Sequence, residues 1–212
     1  MSSPHVMFVC AANVCRSPFM EFAFSSALHQ AVEESRAWTV SSAGIDAVSG
    51  AAICSFSSAV LSDRLGGLEF VDSHVSTRLT TEDLESSSLV LTATRAERSQ
   101  IARLNPAARS RVFTLREAVA LAALAGSPRT TQLRPAPGAD LSAFAAHLHA
   151  RRGTLQIASR GGWLRWRADP GASLDVSDVH AGGIGPHRRA FSTIDTEVTS
   201  LAGALREFRG SL

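Results

Sequence analysis

The feature that most constrains this chain is a short apolar run that ends at a cysteine and leads, through a compact loop, into a helix. Val6-Met7-Phe8-Val9 stops at Cys10, and from Pro18 onward Met20, Ala23, Phe24, Ala27 and Leu28 recur at helical spacing. Ser17 is a good N-cap, and Pro18 suits the first helical position, where its missing N–H removes no hydrogen bond. The pattern reads strand, loop, helix. The loop Cys10-Ala11-Ala12-Asn13-Val14-Cys15-Arg16 therefore ends at a helix N-terminus.

The same alternation continues. Thr39-Val40-Ser41, Leu89-Val90-Leu91 and Val112-Phe113-Thr114 read as further strands, with helical stretches near 51–65 and 95–104 between them. This predicts an α/β fold, a central parallel four-stranded sheet flanked by helices, with the phosphate-binding loop after the first strand. Ligands of such sheets gather beyond the carboxyl ends of the strands, where Cys10 lies. Pro128, Pro135 and Pro137 mark a loop over 126–140, flanked by helices at Glu117–Ala125 and Leu141–Arg151. A last helix over His187–Phe208 places Phe191, Ile194, Val198, Leu201 and Leu205 on one face. We expect one domain over 1–212, with an insertion at about 118–168.

Composition excludes several alternatives. The 21 basic residues are all arginine and are scattered, and the net charge is only +2, so nucleic acid is not an expected partner. No apolar stretch approaches ~20 residues and no leader pattern is visible, which predicts no membrane insertion and a cytoplasmic protein. Three cysteines without repeated spacing argue against a disulfide framework or a Cys-rich zinc site. No His/Asp ligand cluster is visible either, so neither metal nor cofactor is expected.

The loop is suited to an oxyanion. A tight turn into a helix offers backbone N–H groups and the positive end of the helix dipole. The same environment, with an arginine nearby, lowers a thiol pKa from ~8.5 to roughly 3.5–7.5 and makes it a nucleophile at neutral pH. Arg16 supplies a planar fork that can hold two oxygens of one phosphoryl group. Ala11 and Ala12 leave the backbone open, Asn13 tolerates the left-handed conformation that such a curl requires, and Ser17 can donate its hydroxyl to the thiolate. A cysteine at a strand end also reads as an inert core thiol. The helix start directly after Arg16 is what favours the reactive reading.

The run Val9 to Pro18 resembles the signature of the low-molecular-weight protein tyrosine phosphatase family, second cysteine included. The likeness continues through Ser42-Ala43-Gly44, His74–Arg78, Leu89–Thr92 and Val112–Glu117, and resumes near 174. The resemblance implies a cysteine-dependent phosphatase acting on phosphate monoesters, protein phosphotyrosine first, with a phosphorylated protein or a small monoester as partner. Cys10 would form a phosphocysteine, Ala11 to Arg16 would bind the phosphate, and a late aspartate would protonate the leaving oxygen. Asp178 is the candidate, ahead of Asp169 in Asp169-Pro170. Asn13, Ser17, Ser42 and His74 match the family's bracing network, and Cys15 matches a cysteine that can pair reversibly with the nucleophile.

Some positions depart from the pattern. Ala12 stands for the usual glycine, and Val179-His180 follows Asp178 where proline and an aromatic are usual. No aromatic follows Gly44 before Phe56, which leaves Trp163 and Trp166 of the insertion as candidate walls for an aryl substrate. Val14 is aliphatic and lacks a polar contact that would favour phosphoarginine. Cys54, on an apparently amphipathic helix, reads as packing. Two alternatives follow: a non-enzymatic or weakly active phosphate-binding or redox-sensing module, and an arsenate reductase of the same fold, for which the chain has only Cys54 beyond the loop.

Overall fold

The apolar run is β1 (His5–Cys10) in the computed structural model, which describes residues 3–31, 38–124, 141–155, 174–179 and 182–210. With β2 (Thr39–Gly44), β3 (Leu89–Thr92) and β4 (Val112–Thr114) it forms one parallel sheet in the order β2-β1-β3-β4. Side chains of a strand alternate between faces, and a central parallel strand is covered on both, so it needs apolar residues throughout. Val6 and Phe8 join a core with α1 (Arg16–Ala31), α6 (Leu115–Ala123), α7 (Leu141–Ala150) and α8 (Ile184–Gly210). Met7 and Val9 join a smaller core with Leu84 of α4 (Thr81–Ser86) and Ile101 of α5 (Arg95–Leu104).

On the larger face, α1 and α8 meet through Phe19 and Phe191, whose rings stack with centroids 4.1 Å apart. Leu141, Phe144 and Leu148 of α7 belong to the same core. Helix α5 begins where expected, at Arg95, while α6 and α8 begin two and three residues before the positions read from periodicity. Thr94 with Glu97 and Thr114 with Glu117 form capping boxes that fix the starts of α5 and α6.

Two local expectations are corrected. Helix α1 starts at Arg16, one residue before the predicted cap, and the Ser17 hydroxyl is turned to Cys10 and Asn13. The helix expected over 51–65 is the shorter α2 (Ser55–Ser62), and an unexpected helix, α3 (Gly67–Ser73), follows it, with Gly66 at φ +75° as its N-cap. That left-handed conformation is cheap for glycine and lets the chain turn into α3. The 126–140 loop, Asp169, Trp163, Trp166 and His180 lie outside the described residues.

Cys10 pairs in register with Gly44 at the carboxyl end of β2, so the loop lies directly against Gly44. A Cβ at Gly44 would fall 2.7 Å from the Ala11 carbonyl oxygen and 2.8 Å from the Asn13 nitrogen. Both are backbone atoms, so a side chain there must displace the loop itself. Gly44→Ala is expected to destabilise the protein by ~1–3 kcal/mol in urea unfolding. Unchanged stability would mean that the loop yields freely.

Candidate active site

The loop between β1 and α1 curls at Asn13, the one non-glycine among the described residues with positive φ, at +54°. Ala12 is not left-handed, so alanine fits where the related signature carries glycine. The curl turns the loop's carbonyls outward, and each meets a partner. Those of Cys10 and Ala11 accept from the Ile45 and Asp46 amides at 3.0 and 2.9 Å. Those of Ala12 and Asn13 accept from Ser76 Oγ at 2.9 Å and His74 Nε2 at 3.1 Å. Val14 accepts from the Cys54 amide at 2.8 Å, and Cys15 from Ser57 Oγ at 3.4 Å. A trans peptide points its N–H opposite its C=O. The loop amides therefore face its interior, next to the start of α1, which is the arrangement an oxyanion needs.

Asn13 is fully buried and holds the curl together. Its Nδ2 donates to Ser17 Oγ at 2.9 Å and to Ser42 Oγ at 2.8 Å, and its Oδ1 accepts from the Thr77 amide at 2.9 Å. The Asn13 amide donates to Cys10 Sγ at 3.3 Å, and Ser17 Oγ lies 3.1 Å from the same sulfur. Ser17 also reaches the Ala43 carbonyl at 3.3 Å, so its single proton has two acceptors and can swing to a thiolate.

Arg16 is 4% exposed and is held from three sides. It donates to the Val176 carbonyl at 3.3 Å and to Glu97 Oε1 at 3.4 Å, and Asp178 Oδ1 lies 3.6 Å away. The Asp178 side chain is 65% exposed, so the ion pair opens toward solvent. Its segment is docked beyond the carboxyl end of β3. Asp175 accepts from the Arg95 amide at 2.8 Å and from the Arg95 guanidinium at 3.0 Å, and the Val176 amide donates to the Ala93 carbonyl at 2.8 Å.

The sequence-predicted residues Cys10, Asn13, Arg16, Ser17, Ser42, His74 and Asp178 thus come together. Glu97, Ser76, Thr77, Asp175 and Glu21 were missed. Glu97 carries a signal in retrospect, since Thr94-x-x-Glu97 is a capping-box pattern whose carboxylate also reaches Arg16.

Cys54 is corrected. It is the extended residue before α2, and Cys15 Sγ, Cys54 Sγ and a ring nitrogen of His187 lie within 4.8 Å of one another. The chain thus does build a ligand cluster, from residues too far apart in sequence to show as a spacing. The contact between the two thiols holds Cys54 down to about 5 and, with burial, pushes Cys15 up.

Burial raises Glu21, which accepts from Ser42 Oγ at 2.6 Å, from its ordinary 4.5 to about 7, and the Ser42 donor only partly offsets this. A carboxyl raised on folding contributes its stability in full below the unfolded pKa and loses it as pH rises through the folded one. Between pH 4.5 and just above 7 this group should remove up to about 3 kcal/mol. Glu21→Gln keeps an acceptor for Ser42 and cannot ionise. Urea unfolding of both proteins across that range should show a falling limb in the wild type that is reduced in the variant; parallel curves would refute the assignment.

The model of the family described as low molecular weight phosphotyrosine protein phosphatase matches residues 5–124. The protein-arginine-phosphatase of Bacillus subtilis (strain 168) is 36% identical over 114 residues, 54% of this chain and 71% of the relative. Among solved structures, a YwlE arginine phosphatase Cys-to-Ser mutant with a phosphorylated active-site serine superposes with a TM-score of 0.62 at 24% identity, covering 96% of each chain. The tyrosine phosphatase AmsI of Erwinia amylovora gives 0.61 at 16% identity over 95% of this chain and 93% of its own. These two share the fold. With its oxyanion loop, parallel sheet and matched family model, the chain belongs to the low-molecular-weight phosphotyrosine protein phosphatase family and is a phosphatase, a phosphoric monoester hydrolase.

Proposed function

We propose that this phosphatase removes phosphate from phosphotyrosine on proteins, with Cys10 as nucleophile, Arg16 and the Ala11–Arg16 amides as the phosphate cradle, and Asp178 as general acid and base. The observation that carries this reading is the convergence of donors on Cys10 Sγ, from the Asn13 amide at 3.3 Å and Ser17 at 3.1 Å, inside a loop whose carbonyls all face outward. In the first step the Cys10 thiolate bonds to phosphorus, the P–O bond to the leaving group breaks, and Asp178 gives that oxygen its proton. In the second, water attacks the phosphocysteine and returns a proton to Asp178, releasing phosphate and thiolate. The transition state carries its charge on the equatorial oxygens, so the inward amides and the Arg16 fork supply most of the catalysis.

Ser17, Ser42 and His74 support the loop in this reading and touch no substrate. Val14 favours tyrosine, since an aliphatic side chain offers a guanidinium nothing to bond. The Phe56 ring packs on His187 with centroids 4.6 Å apart and is partly exposed. A second reading, phosphoarginine, is motivated by the Bacillus subtilis relative.

We also infer one domain with an insertion at 118–168, because α7 packs in the core shared by α1, α6 and α8. A cytoplasmic location suits three free cysteines and a mechanism that needs a reduced thiol. No helix among the described residues is long and apolar enough to cross a membrane.

The test is hydrolysis of p-nitrophenyl phosphate and of phosphotyrosine and phosphoarginine peptides. Cys10→Ser should lose turnover, and Asp178→Asn should fall about 10²–10⁴-fold in kcat. Activity in Cys10→Ser would sink the mechanism. The phosphotyrosine peptide should have the higher kcat/KM, and Val14→Thr, which adds a hydroxyl acceptor, should shift the ratio toward phosphoarginine. A wild-type preference for phosphoarginine would establish the second reading instead.

A further inference from the structure

Next to the loop lies a group of side chains that the phosphatase reaction does not use. Cys15 from the loop, Cys54 before α2 and His187 in the first turn of α8 place two sulfurs and a ring nitrogen within 4.8 Å of one another. Cys15 is 4% exposed and His187 fully buried, while Cys54 is half-buried and forms the open side.

His187 supplies the second observation. Its Nδ1 lies 3.0 Å from the Gly183 carbonyl oxygen, an acceptor, so Nδ1 carries the proton. Nε2 is then a bare lone pair, buried and without a hydrogen-bond partner. A buried polar atom left in that state carries a desolvation penalty, and its presence points to a ligand. The bond from one ring nitrogen to a backbone carbonyl is also the outer contact that orients a metal-binding histidine and fixes its tautomer.

We propose that Cys15, Cys54 and His187 Nε2 form a binding site for a single zinc ion, a thiophilic cation matched by two thiolates and one imidazole. The ion's remaining position opens to solvent past Cys54. Binding needs both sulfurs as thiolates, so affinity falls in acid. It ends the donation from the Cys54 thiol to Ser57 Oγ, now 3.2 Å long. The ion ties the end of the phosphate loop to the starts of α2 and α8, and occupies Cys15 so that its sulfur is withheld from any reaction with Cys10. Nothing in this requires Cys10, so the site stands or falls apart from the proposed reaction.

The probe is Zn²⁺ itself, with Co²⁺ as its coloured substitute, on the reduced full-length Cys10→Ser protein, which removes the reactive thiol as a competing ligand. One equivalent of Co²⁺ should give thiolate-to-cobalt charge-transfer absorption with tetrahedral visible bands, and Zn²⁺ should bleach both. Adding Cys15→Ser, Cys54→Ser or His187→Gln should abolish the spectrum or weaken Zn²⁺ binding at least ~100-fold, beyond the usual effect of losing an outer contact. Circular dichroism checks that each variant folds. Should His187→Gln fail to fold, Cys54→Ser, a near-isosteric change at a half-buried position, decides the matter alone. Absence of the charge-transfer band in Cys10→Ser would overturn the proposal, as would a band that persists in Cys54→Ser.

Discussion

The side-chain amide of Asn13 is the interaction on which the rest of the site depends. Its residue takes the left-handed turn at φ +54°, and its side chain then reaches a helix, a strand and a loop through Ser17, Ser42 and Thr77. Each partner is polar, and Asn13 and Ser17 are fully buried, so removing any one of them leaves a group unsatisfied away from water, at about 1–3 kcal/mol. A network of that kind is stiff because its members support one another. The outward carbonyls and inward amides of the loop follow from this one reversal of the chain.

Charge balance at Arg16 is the second constraint. A guanidinium that is nearly buried needs compensation, and it comes from carboxylates on two separate segments together with a backbone carbonyl. Glu97 has two duties, capping α5 by accepting from the Thr94 amide at 2.5 Å and facing Arg16 at 3.4 Å. The start of that helix and the orientation of the guanidinium are thus set by one carboxylate. Asp178, on the solvent side, is the partner that an incoming dianion can displace.

Local patterns were readable from the sequence, and tertiary ones were not. The strand, loop and helix around Cys10, the four strands and the left-handed tolerance of Asn13 all depend on neighbours in the chain, and the structure agrees with each. Ser17 was read both as helix cap and as partner of the thiol, and only the second holds, because Asn13 and Cys10 claim its hydroxyl. The expected helix stops before the Gly66-Gly67 pair, and what the sequence does not announce is α3 starting directly after it. Glu21, Thr77, Asp175 and His187 gave no signal, since each acts on a residue at least 20 positions away.

The segment that carries Asp178 has a further consequence for how this chain tolerates change. The Leu174 carbonyl is held by Thr114 Oγ1 at 2.8 Å, so the chain returns to the very residue from which α6 departs. Between these two ends, both held at the tip of β4, α6 and α7 bury Leu115, Leu121, Phe144 and Leu148 in the larger core. A change within α6 or α7 is therefore felt by the same packed side chains that hold α1 and α8 behind the Cys10 loop.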